Sequence, residues 1–241
     1  NHGHADRNSV IFKAHGERLF HDPFRAGYSY TTPRWKLRLT AAHTAVLING
    51  QGHQYHDGKE GTNASWAWAR VQAFQSGANW MTVTSDATEA YSLVIPEAQR
   101  VDRTLVFLKP DVLLMLDRVT LTAPLPVQLR YQVYNDDDSG SAKADGSMFQ
   151  IKRPFARVDA FVRGASQVAC SVLKHDLPET EGTHPFVEAV SAAATTHTLL
   201  TVAAASPAAD AAAAGAISVT REGALWRIGG KHRGQMINVT I

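Results

Sequence analysis

Two imidazoles, a carboxylate and two amides crowd around one glycine in the first nine residues, Asn1-His2-Gly3-His4-Ala5-Asp6-Arg7-Asn8-Ser9, immediately before an apolar run. No other stretch is so dense in chemistry. Asp22 follows one expected hairpin later, and His43 opens a further strand-like run. Zinc takes imidazole nitrogen and carboxylate oxygen, with three protein ligands where a position stays open for water or substrate. His4, Asp22 and His43 could supply that set. The same residues also read without a metal, as hydrogen-bonded histidines at a sheet rim and a carboxylate capping the turn before Pro23.

Competing motifs are missing. A cupin-type His-x-His needs a Glu four or five residues after the second His, where Asn8 and Ser9 stand. There is no G-x-S-x-G, no H-E-x-x-H and no Walker motif, so serine hydrolase, zincin and nucleotide-binding chemistry have no foothold. Asn135-Asp136-Asp137-Asp138-Ser139-Gly140 lacks the ordered ligand series and distal Glu of a calcium loop and reads as a solvated turn. Arg18, Arg25, Arg34 and Arg38 lie in or beside the loop that should face the histidines, and guanidinium forks suit carboxylates and sulfates. Tyr28, Tyr30 and Trp35 in that loop could stack on sugar rings or equally anchor the loop.

The elements that must position these groups are short strands. Ser9–Ala14 and Glu17–Asp22 flank His15-Gly16, which suits a two-residue hairpin turn. That turn pairs Asp22 with Ser9, and a straight strand would leave His4 roughly 17 Å away at about 3.3 Å per residue. His4 therefore meets Asp22 only if the chain folds back between Ala5 and Asn8. Residues 23–38 form a loop punctuated by Pro23, Gly27 and Pro33, and 51–64 a second loop carrying His53 and His56. Extended segments are expected at 65–74, 80–84, 90–95, 100–108, 112–119 and 127–134. More follow at 148–152, 159–162, 167–173 and 199–204, with closing hairpins at the end. Residues 203–214 suit a short helix or a loop excursion. No sustained helical period appears, so the expected fold is an all-β antiparallel sandwich of two layers and many short strands.

At 241 residues one domain, 1–241, is expected, with any sub-boundary near 135–145. The charge of +2 carries no basic stripe, which argues against nucleic acid. Nothing approaches the roughly eighteen consecutive apolar residues of a membrane-spanning helix. Cys170 is the single cysteine, so no intrachain disulfide forms. With no initiator Met and no structure ahead of the histidines, the chain reads as part of something longer.

Residues 2–22, together with Thr40-Ala41-Ala42-His43-Thr44-Ala45-Val46-Leu47-Ile48-Asn49-Gly50-Gln51, resemble the heparinase II/III family. So do Arg103-Thr104-Leu105-Val106-Phe107-Leu108-Lys109-Pro110-Asp111 and Leu116-Asp117-Arg118-Val119, in the family's order. The resemblance implies a polysaccharide lyase with an N-terminal α/α toroid and a C-terminal β-sandwich, cleaving uronate-containing polysaccharide by β-elimination. It implies zinc at His4, Asp22 and His43, with His53 the alternative because Thr44 replaces the Asn that usually follows. It also places His2 in the catalytic cleft. Arg25, Arg34 and Trp35 are the expected substrate contacts. The expected partners are an anionic polysaccharide and the toroid, and the expected location is the bacterial periplasm or outside the cell. Without the toroid's Tyr, little lyase activity is expected, and a non-catalytic carbohydrate-binding or interaction module is the alternative.

Overall fold

The computed structural model describes residues 3–53, 68–210 and 217–241. His2, His56 and the first part of the expected 65–74 strand lie outside the described residues. His15 and Gly16, at φ 51° and 79°, make a turn whose two central residues are left-handed. That twist joins β1 (Phe12–Ala14) to β2 (Glu17–Phe20). Ala14 faces Glu17 and Lys13 faces Arg18 as expected, but a bulge then sets Phe12 opposite Phe20. The bulge moves the ladder by one residue, so the simple pairing of Asp22 with Ser9 does not hold.

After β3 (Val46–Ile48) come β4 (Arg70–Ser76), β5 (Trp80–Asp86), β6 (Ala98–Leu108) and β7 (Val112–Gln132). They are followed by β8 (Ser141–Asp145), β9 (Met148–Lys152), β10 (Ala156–Arg163), β11 (Val168–Lys174) and β12 (Pro185–Pro207). These form an antiparallel sheet in the order β4-β5-β6-β7-β12-β10-β9-β8, with β3 also paired to β7 and β11 to β12. The long strands β7 and β12 let it fold on itself into a sandwich. Val112–Leu121 of β7 pairs with β6, whereas Val127–Leu129 pairs with β3. In β12 the register breaks between Ser191 and Thr196. Two separate strands were expected at 112–119 and 127–134. The chain between them stays extended because Pro124 and Pro126 accept strand-like φ and their missing donors fall at the irregular stretch.

Alternation along these strands fills two cores. Leu113 and Met115 of β7, with Ala203 and Ala205 of β12, point into the main core. Val112, Leu114, Leu116, Val202 and Ala204 point the other way, where β13 (Ile217–Glu222), β14 (Leu225–His232) and β15 (Gln235–Thr240) cover them through Trp226, Ile228 and Ile237. Burial on both faces explains the unbroken apolar runs, each fully buried Leu contributing about 1.5–3 kcal/mol. The strand β12 runs past the expected 199–204 to Pro207, so the first residues of the 203–214 segment, expected as a short helix or loop excursion, are strand. Residues 90–95 are not extended either. A helical turn spans Thr88–Ser92, started by Asp86 Oδ1 accepting the Thr88 amide at 2.8 Å. Buried Tyr91 on that turn donates its hydroxyl to Val46 O at 2.6 Å. Three turns meet at the buried Asp111 carboxylate, where Oδ2 lies 3.3 Å from His15 Nε2 and 3.0 Å from Arg233 Nη1. Among the described residues no helix is long and apolar enough to cross a membrane.

Candidate metal and substrate site

Buried Arg38 holds the N-terminal segment from two sides. Its guanidinium donates to Gly3 O, at 2.8 Å from Nη2, and its carbonyl accepts the Ala5 amide at 2.7 Å. His4 is thereby fixed between two anchored neighbours. The chain then reverses: the Ser9 amide donates to Asp6 O at 3.0 Å, and Asn8 sits in the left-handed region at φ 59°. Asn tolerates that conformation better than most residues. This is the fold-back that a meeting of His4 with Asp22 requires. Arg103 locks it by donating to Asn8 O and Thr44 O, both at 2.7 Å, while paired with Asp117 at 2.7 and 3.2 Å inside the protein.

His43 follows the 3-10 turn Thr40–Ala42 and is buried. Its Nδ1–H donates to Asp22 Oδ2 at 2.8 Å. Asp22 Oδ1 and His43 Nε2 are both buried and have no hydrogen-bond partner. The ring of His4 lies 5.4 Å from that of His43, tilted by 52°. Burial foremost, and then His43, lowers the His4 pKa, which favours the neutral imidazole that binds metals. Behind His43, Gln132 donates Nε2–H to His43 O at 3.2 Å and to Ala41 O at 3.1 Å, while its Oε1 accepts from His175 Nε2 at 2.8 Å. His21 Nδ1–H donates to Asp22 O at 2.9 Å. His53 stands apart. It is fully buried, accepts the Arg7 amide on Nε2 at 2.9 Å and packs its ring against Tyr91. The structure thus sets His43, not His53, beside Asp22.

Two imidazoles and a carboxylate are a donor set that zinc accepts, and the unpartnered Asp22 Oδ1 and His43 Nε2 are buried atoms that a cation would satisfy. Among the described residues, no three His, Cys, Asp or Glu side chains converge into a ready-made metal cage. Two of the three donor residues instead hydrogen-bond each other.

Beside His4 and Asp22 opens a cavity of about 360 Å³, also lined by Phe24, Arg25 and Tyr28. Arg25 is left-handed at φ 59°, a backbone state that costs a non-glycine residue about 1–2 kcal/mol. Among the described residues its guanidinium makes no hydrogen bond or ion pair. Arg34 differs, because its guanidinium donates to Phe24 O, to Arg25 O at 3.0 Å and to Glu181 O at 3.1 Å. It braces the loop from beneath. Gly27 permits the tight return of this loop, since a Cβ there would lie 2.2 Å from Thr32 Oγ1. Trp35, in the turn Pro33–Arg38, lines a separate groove with Tyr30. A larger cavity, about 630 Å³ beside Met148 and Phe161, shares no residue with this site.

Sequence reasoning missed the positioning roles of Arg38, Arg103 and Gln132. Arg103 and Asp117 did leave a signal. Each interrupts an apolar strand, and the two are register partners across β6 and β7.

The family model for the heparinase II/III-like C-terminal domain matches residues 1–228. Among solved structures, a mutant of the heparan sulfate lyase HepC from Pedobacter heparinus superposes with a TM-score of 0.75 at 14% identity, over 100% of this chain and 37% of that one. The heparinase III BT4657 gene product gives 0.72 at 13% identity, over 100% and 37%. A further heparinase III structure gives 0.70 at 12% identity, over 98% and 36%. The chain therefore spans just over a third of the length of these relatives. No curated protein sequence matches. At such identities the superpositions speak for the β-sandwich fold, whereas the family match extends over most of the sequence: the chain belongs to the heparinase II/III-like C-terminal domain family.

Proposed function

We propose that this chain forms one wall of the active site of a polysaccharide lyase that cleaves uronate-containing glycans of the glycosaminoglycan or alginate type by β-elimination. The supporting observation is the Asp22–His43 pair, with its two unpartnered buried atoms, next to His4 and to a cavity containing an uncommitted arginine. His4, Asp22 and His43 would hold a zinc ion, which would supply a fixed positive charge that orders the surrounding loops. Arg25 receives the carboxylate or sulfate of the glycan.

In β-elimination a base removes the C5 proton, its electron pair forms the C4–C5 double bond, and the bond from C4 to the leaving oxygen breaks as that oxygen gains a proton. His2 is the group of this chain assigned to touch substrate, since an imidazole near neutrality can take a proton or donate to a carboxylate. A tyrosine and the main carboxylate-neutralising group come from an α/α toroid domain. The lyase works in the bacterial periplasm or outside the cell.

This division of labour makes the chain alone a binder without turnover. Incubated with heparan sulfate or alginate oligosaccharides, it should release no unsaturated uronate, and Arg25→Ala should weaken glycan binding several-fold. Unsaturated product from the chain alone would contradict the assignment of the missing groups to a second domain. Exposed aromatic rings beside Arg25 favour a second reading, a carbohydrate-binding module without a catalytic role. A polypeptide carrying both domains separates the two, because His2→Ala lowers its kcat only under the lyase reading.

A further inference from the structure

Tyr28 packs against the Arg38 guanidinium, 5.9 Å from its ring centroid, and Tyr30 is 57% exposed. Tyr30 stands at a groove of about 480 Å³ whose walls include Trp35 and Lys36 on one side and Asp176 and Leu177 on the other. That volume lies within the roughly 300–1,000 Å³ typical of small-ligand sites.

Both walls are held in place. Thr32 and Trp35 close successive turns, their amides donating to Ser29 O at 3.0 Å and Thr32 O at 3.2 Å. The opposite loop is closed by the His175 amide on His184 O at 3.0 Å. Arg34 ties the two loops together, donating to Arg25 O and Glu181 O. The groove therefore lies on the same braced loop as the cavity beside His4, a few residues further along.

Its charge is exchangeable. Lys36 Nζ lies 3.1 Å from Asp176 Oδ2, but the Lys36 side chain is half exposed and that of Asp176 almost wholly so. A pair so solvated contributes little to stability, and a stronger anion can displace the carboxylate.

From this arrangement we infer that the groove is a second sugar subsite, taking a uronate or sulfated residue of the same glycan beyond the one held at Arg25. The sugar ring lies on Tyr30 and Trp35, and Lys36 leaves Asp176 for the anionic group. The inference rests on the proposed function above, in that both require an anionic glycan.

Calorimetric titration with size-defined heparan sulfate tetrasaccharides and octasaccharides tests it. Tyr30→Ala should lower octasaccharide affinity about three- to tenfold and leave the tetrasaccharide unchanged, an aromatic contact being of that size. Lys36→Gln should act in the same direction. Asp176→Asn should raise octasaccharide affinity a few-fold, because the competing carboxylate is gone. Octasaccharide binding that Arg25→Ala weakens but these three variants do not alter would overturn the subsite and leave the Arg25 site standing. No binding of either length would refute both. Circular dichroism of each variant confirms the fold, and the exposure of Tyr30 and Lys36 predicts that it is kept.

Discussion

At the scale of single residues, the site is built by groups that touch no ligand. Arg38 fixes the backbone on both sides of His4, and Gln132 fixes the backbone of His43. Two histidines behind the site are held neutral. Burial foremost, and then Arg7, pushes the pKa of His53 down to about 3. Burial foremost, and then Arg130, does the same to His175, again to about 3. In the unfolded chain both titrate near 6.5. Their contribution to stability is therefore complete above pH 6.5 and is lost as pH falls towards 3, with a slope approaching about 1.4 kcal/mol per pH unit for each histidine. Urea unfolding of the wild type and of His53→Gln/His175→Gln between pH 7.5 and 4.5 measures this share. The variant should lose stability less steeply on acidification, and parallel curves would disprove the assignment. The ligand-type residues were legible in the sequence because His and Asp announce their chemistry. Arg38 and Gln132 were not, because an arginine that reaches a backbone carbonyl 35 residues away looks like any other arginine until the chain is folded.

At the scale of elements, the site depends on the β6–β7 pair. Arg103 and Asp117 face each other across these strands, and Arg103 reaches from there to Asn8 O and Thr44 O, one on each segment that carries a site histidine. Replacing Arg103 by Met leaves a buried carboxylate without its partner, which costs about 3–5 kcal/mol. Adding Asp117→Leu should restore most of the global stability but not the clamp on Asn8 and Thr44. Denaturant midpoints report the first effect, and a single-variant loss below about 1 kcal/mol would contradict the buried pair's role. The β1–β2 hairpin was legible from His15-Gly16 and alternation, yet its bulge was not, since one extra residue leaves the local pattern intact. Strand 112–116 was legible as an apolar run. The union of two expected strands into β7, and the burial of Ala203–Ala205 between two layers, depend on partners distant in sequence, which no local period encodes.

At the scale of the whole molecule, a sheet folds on itself and is covered on one outer face by β13–β15. From it project the loops around His4, Arg25 and Tyr30. The all-β antiparallel sandwich was legible, though its long strands and the placing of β13–β15 as an outer sheet were not, and the family match and the fold agree on the sandwich. On the proposed reading, the reversal after Ala5 brings His4 to the Asp22–His43 pair around one zinc ion. Metal analysis of the purified chain after exposure to zinc and gel filtration tests it most directly. One zinc per chain is predicted, falling well below that in His4→Ala and in Asp22→Ala, with the melting temperature of the wild type, but not of the variants, raised by zinc. A wild-type chain that retains no zinc, and whose thermal stability zinc does not change, would contradict the claim.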